Sequence, residues 1–168
     1  MRRPAAVVVL LGILAAAGLA AAAAQEPRDP SWTLSISNDD GELADLPVDS
    51  GSFAVSYRNS IFGTLAEERY EVRPDGSWEL VQLAADQLAV LEEYYAVPGA
   101  PAAAPEQDRR AWTAAPDPAR PAVFTHLSIA ATDRGQRTVH VEGRPPLPLW
   151  TLVDDEAPFV ALELKENS

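Results

Sequence analysis

Apolar and polar residues alternate with a period of two along most of this chain, in short runs separated by Gly, Pro, Asp and Asn. Strand side chains point to opposite faces in turn, so each run reads as a half-buried strand and each break as a turn. Trp32 to Ser37 sets Trp32, Leu34 and Ile36 against Thr33, Ser35 and Ser37, and Asn38-Asp39-Asp40-Gly41 closes the run. In Ser52 to Arg58 the apolar face is Phe53, Val55 and Tyr57. Thr64 to Val72 follows. Pro74-Asp75-Gly76 then has the chemistry of a type I or II turn leading into Ser77 to Leu83, where Trp78, Leu80 and Gln82 share a side.

Residues 84–96 fit two patterns. Leu88, Leu91 and Tyr95 lie on a helical stripe, whereas Leu88, Val90 and Tyr94 partly follow a strand, so a short helix and a strand both stay open. Between Pro98 and Pro121 the prolines at 98, 101, 105, 116, 118 and 121 remove too many backbone donors for a central strand. This stretch is expected to run over the surface as a long loop, with Trp112 pinning it to the body. Order resumes at Ala122 to Thr132. Asp133-Arg134-Gly135 is expected to turn this strand into a hairpin with Thr138 to Glu142, and Leu147 to Leu152 is expected to turn near Asp154-Asp155-Glu156 into Phe159 to Leu164. About eight short strands with turn signals roughly every ten residues predict an all-β fold, an antiparallel sandwich or open barrel.

The N-terminus has a different texture. Arg2 and Arg3 precede an apolar stretch from Ala5 to Ala24, which ends in Ala22-Ala23-Ala24 before Gln25. This is the anatomy of a signal peptide with a small-residue cleavage site. Twenty apolar residues also match the thickness of a bilayer core, so residues 1–24 are a signal peptide or an N-terminal membrane anchor. Both readings put residues 25–168 outside the cytoplasm, periplasmic or secreted, or tethered to the inner membrane by residues 5–24. Those residues form a single β-rich domain with a Pro-rich loop at 98–121. The chain contains no Cys, which excludes a disulfide framework, thiol chemistry and lipid attachment through Cys. Losing Arg2 and Arg3 with the leader takes the net charge from −12 to −14. Such a surface repels phosphate backbones, so nucleic acid is not an expected partner, and membrane contact is expected only through an uncleaved N-terminal segment.

No nucleophile elbow, phosphate-cradling Gly loop or zinc-protease motif occurs in the sequence. His126 and His140 each fall opposite the apolar set of their strand, and no further ligands accompany them, so neither a metal nor another cofactor is expected. One position stands out. Alternation through Thr64 to Val72 puts Glu68 on the apolar face with Ala66, Tyr70 and Val72, while Glu67, Arg69 and Glu71 point the other way. A carboxylate there costs several kcal/mol unless it is compensated. The end of the preceding strand offers donors, so Glu68 is expected to be held by Arg58, Asn59 or Ser60, in a polar network that is structural or faces a ligand.

Tyr57-Arg58-Asn59-Ser60-Ile61, followed by Glu68 with Tyr70 and then Asp75-Gly76, resembles the hallmark of the exported domain-of-unknown-function family 1850. That family's pattern is Tyr-x-His-Ser, a few residues, then Glu and an aromatic residue. Tyr94-Tyr95 with Pro98-Gly99 is similar to its next block, and Leu147-Pro148-Leu149 through Leu164 to its closing strands. The resemblance implies a small exported or membrane-tethered protein, often encoded beside permeases of the TRAP type that work with TAXI-class solute receptors. It therefore implies a non-catalytic accessory or binding module whose partner is a transporter permease or solute receptor. The family's His is Asn59 here. Asn replaces His as a hydrogen-bond partner but cannot transfer protons or bind metal in its place, so no catalytic residue is assigned. Two other readings stay open: an envelope structural or interaction protein using its Pro-rich loop as contact surface, and a hydrolase-like enzyme using Glu68.

Overall fold

A computed structural model describes residues 31–167, so the leader read at residues 1–24 lies outside the described residues. Twelve strands follow in chain order: β1 Trp32–Asn38, β2 Gly41–Pro47, β3 Ser52–Arg58, β4 Leu65–Val72, β5 Trp78–Ala85, β6 Ala102–Ala103, β7 Trp112–Ala114, β8 Val123–Phe124, β9 His126–Ala130, β10 Thr138–Val141, β11 Leu147–Pro148 and β12 Phe159–Glu166. They build two antiparallel sheets. The smaller has the order β2-β1-β12-β9. The larger has the order β11-β10-β3-β4-β5-β7-β6, with β8 also on β5. Neither closes into a barrel, so the sandwich alternative holds.

The core lies between the sheets. Leu34, Ile36, Ile129, Val160 and Leu162 of the smaller sheet meet Phe53, Val55, Tyr70, Trp78, Val139 and Val141 of the larger. Phe53 stacks on Tyr70 at 5.1 Å between ring centroids and meets Trp78 edge-on at 5.9 Å, geometries that add to the burial of their area. Gly76 joins the two sheets at one corner. Its φ of +79° suits the turn after Pro74, and a Cβ on it would come within 2.6 Å of the Trp32 ring. Glycine is required here both by conformation and by space.

Where the smaller sheet ends, a second core begins. Leu83, Ala85 and Ala66 pack beneath Val90 and Leu91, with Tyr57 at the border. Val90–Tyr94 is a single π-helical turn, and β5 extends as far as Ala85. Residues 84–96 thus contain the end of a strand and then a short helix, and Leu88, Val90 and Tyr94, which partly followed a strand pattern, all lie in the helical part. Ala96 follows at a φ of +49° and reverses the chain.

Several expectations change. Asp133-Arg134-Gly135 does not make a hairpin: β9 pairs with β12 in the smaller sheet and β10 with β3 in the larger, so this turn carries the chain from one sheet to the other. Leu147 to Leu152 does not pair with the final strand either. Its first two residues join β10, Leu149–Thr151 form a 3-10 turn, and β12 lies between β1 and β9. The strand expected at Ala122 to Thr132 is split, with β8 on β5 and β9 on β12. β2 was not foreseen, because a bulge at Ile36/Ser37 breaks the register with β1. The Pro-rich loop runs outside β5, where only the proline-free segments β6 and β7 pair at the sheet edge, and half-buried Trp112 packs on the second core.

Candidate functional site

β4 carries two adjacent glutamates, Glu67 fully buried and Glu68 half-buried, and the fold holds them by different means. The cross-strand neighbours of Glu68 are Val55 and Leu83, which confirms that it faces the core side. The donors expected for it are not the ones it has. Its Oε2 accepts from the Tyr70 hydroxyl at 2.7 Å and its Oε1 from the Tyr95 hydroxyl at 2.8 Å. The Tyr57 hydroxyl lies 2.7 Å from that of Tyr95, which extends the chain of phenols by one. Burial, with the Glu68 charge adding to it, pushes the Tyr70 and Tyr95 phenols well above their usual range, and burial pushes Tyr57 up to about 12.

Arg58, Asn59 and Ser60 do not hold Glu68, and the reason is local. Asn59 is buried, and its Oδ1 accepts from the backbone N–H groups of Ile61 and Phe62 at 3.0 and 3.1 Å, closing an Asx-type turn. Arg58 points outward, donating to Gly63 O at 3.0 Å and to Gln136 Oε1 at 3.4 Å. Ser60 is exposed. These residues nevertheless come together with Tyr57. All four line a pocket of about 250 Å³ whose other wall is Tyr94, Ala130, Thr132, Arg134, Gly135 and Arg137. The Arg137 guanidinium lies 5.0 Å from the centroid of the Tyr57 ring, a cation–π contact. Tyr57 therefore joins the pocket to the Glu68 network behind it.

The opposite face of β4 carries a second cluster that alternation did not reveal. Glu67 is on the outer side as expected, yet it is fully buried because residues 105–111 of the Pro-rich loop fold over it. Arg109 donates to it at 2.6 and 3.0 Å, Arg69 at 2.7 Å, and Arg110 lies 3.7 Å away. Arg69 also reaches Asp108 and Gln82. Burial alone raises a carboxyl pKa, but the Arg109 and Arg69 contacts prevail and hold Glu67 below its ordinary value. The Arg69 hydrogen bond holds Asp108 down at about 2, and Arg69 is raised in return. Beside this cluster opens a cavity of about 820 Å³, walled by Arg69, Gln82, Arg109, His140 and Arg144 among others. His140 Nε2 lies 2.8 Å from the Ser56 hydroxyl. Burial, with the Arg109 charge nearby, lowers the pKa of His140 below its ordinary value. His126 is in the other sheet and pairs with Glu163. The one available sequence signal for the outer cluster was Asp108-Arg109-Arg110, three consecutive charges inside a loop otherwise rich in Ala and Pro.

The chain matches no family model, no curated protein and no solved structure. Among the described residues, no helix is long and apolar enough to cross a membrane.

Proposed function

We propose that this chain is an exported, non-catalytic binding module that works beside a solute transporter, with a permease of the TRAP type or its TAXI-class receptor as partner. One observation carries this reading: Tyr57, Arg58, Asn59 and Ser60, the residues of the family-like motif, surround a single pocket instead of dispersing over the strand end. The leader sequence supports an extracytoplasmic location, and the resemblance to family 1850 supports the transporter setting. The absence of catalysis is supported by how Glu68 is used. Each of its oxygens accepts from a phenol whose pKa is raised, so its hydrogen bonds tie it to the core side of the sheet.

The test is purification of the tagged full chain from its native membranes, with substrate uptake measured in a deletion strain. Co-purification of a permease or receptor, with loss of uptake on deletion, is expected. Normal uptake and no such partner would overturn the reading. Retention of other envelope proteins instead would favour the interaction-protein alternative, for which exposed Ile61 and Tyr94 beside the pocket offer an apolar contact.

A further inference from the structure

The described residues include ten arginines and lysines, in a chain whose net charge is −12. Seven of them have a carboxylate within 4.0 Å: Arg69, Arg73, Arg109, Arg110, Arg120, Arg144 and Lys165. Arg58, Arg134 and Arg137 have none among the described residues, and all three line the 250 Å³ pocket at the end of β3. In a protein with a large acidic excess, three cations without carboxylate partners at one site are unexpected. Like charges gathered in one pocket repel each other, so the arrangement disfavours itself until an anion arrives.

The Arg58 and Arg137 side chains, and the turn that carries Arg134, are also held in position. Arg58 ends β3, and its backbone N–H donates to Gly135 O at 2.7 Å, which fixes the β9–β10 turn against that strand. Within the turn, Gly135 N–H reaches Thr132 Oγ1 and Gln136 N–H reaches Thr132 O. Gln136 has a φ of +47°, uncommon for a residue with a side chain, and it leads directly into Arg137. Arg137 is anchored by its Nε on Ala130 O at 3.1 Å and by the Tyr57 ring, so both of its Nη nitrogens are free of hydrogen bonds to described residues. Glu68 reaches the pocket wall only through the chain of phenols Tyr95 and Tyr57, and already has two phenol donors. A planar guanidinium matches two oxygens of a carboxylate or phosphate at once. The volume is below the usual range for drug-sized ligands, which limits the occupant to a small molecule.

We propose that this pocket binds a small oxyanion, a carboxylate or phosphate group, held by Arg134 and Arg137 with Arg58 at the rim and Tyr94 as a wall. The assignment rests on the binding-module reading and gives it a ligand class. The test is an NMR titration of the full chain with inorganic phosphate and, separately, malonate at millimolar concentrations. Saturable shifts confined to residues 57–60, 94 and 130–137 are expected with at least one probe, and the probe that binds more tightly identifies the oxyanion. Arg134→Gln is exposed and leaves the fold intact. It should weaken binding about tenfold, the loss of one charge-assisted contact, whereas Arg120→Gln should not change it. No saturable shift with either probe, shifts mapping to the Arg69 and Arg109 cavity, or unchanged affinity in Arg134→Gln would each overturn the proposal. Co-purification of a permease without anion binding removes the ligand class alone; anion binding without any transporter partner removes the transporter setting alone. Loss of a protein partner in Arg134→Gln, with no response to either anion, would assign the arginines to a partner's acidic side chains instead.

Discussion

Glu67 and Glu68 are neighbours in sequence and point to opposite faces of β4, Glu67 fully buried and Glu68 half-buried, and they are stabilised by unlike chemistry. Glu67 is met by formal charge: Arg69 from its own strand, and Arg109 and Arg110 from a loop some forty residues away. Glu68 is met by neutral phenols, Tyr70 from its own strand and Tyr95 from just beyond the π-helical turn. The difference shows that the outer face depends on a distant loop remaining docked, whereas the inner face is built from the core itself. Removing a member from each side should therefore have different consequences.

The largest effect is expected for Glu67→Ala. It leaves three guanidinium groups facing a void, and stripping one partner from a buried ion cluster costs about 3–5 kcal/mol. Denaturant unfolding should show this loss, and limited proteolysis should show faster cleavage within 98–121. A loss below about 1 kcal/mol would mean that the cluster behaves like a surface pair. Next comes Tyr95→Phe, which removes the donor to Glu68 and the link to Tyr57 without changing the ring. About 1–3 kcal/mol is expected, because the acceptor left behind is charged. Its combination with Glu68→Gln should be non-additive by at least about 0.5 kcal/mol; strict additivity would mean that the two groups do not interact.

The smallest effects separate the faces by pH. Glu67 and Asp108 have folded pKa values below their ordinary 4.5 and 3.8, so their contribution is present above those values and fades as pH falls, for Asp108 toward about 2. The tyrosines behave in the opposite sense. Their folded pKa values are raised above 10, so their contribution is complete below pH 10 and is lost as pH climbs, for Tyr57 through about 12. Amide exchange should accordingly report acid opening at residues 105–111 and alkaline opening around Val90–Tyr95. The same opening order at both extremes would contradict the distinction.

How far the sequence disclosed this follows from what alternation encodes. A period of two identifies the face on which a side chain lies, and it placed Phe53, Val55, Tyr57 and Glu68 correctly on the core side. It does not say which strand lies alongside, so the Asp133-Arg134-Gly135 turn read as a hairpin although it crosses between sheets. It is also silent about what covers the other face. Glu67 looked like a solvent residue because its cover comes from Asp108, Arg109 and Arg110, whose approach no local pattern records. Tyr95 escaped as a donor for a related reason, since a π turn intervenes between β5 and its position over Glu68. The motif residues were found as a group, though their shared feature is a pocket and not the carboxylate they were expected to hold.

The pairing of the first described strand with the last has a consequence for when this protein can fold. Trp32 sits opposite Glu166, and β12 lies in the middle of the smaller sheet. The β1-β2 hairpin and the β3-β4-β5 meander assemble from neighbouring segments, but β9 has no strand partner, and the smaller sheet stays incomplete, until β12 is in place. Closing a loop of that length carries the entropy cost and slow kinetics of distant contacts. Until β12 docks, the cover that the smaller sheet places over Phe53, Tyr70 and Trp78 is incomplete.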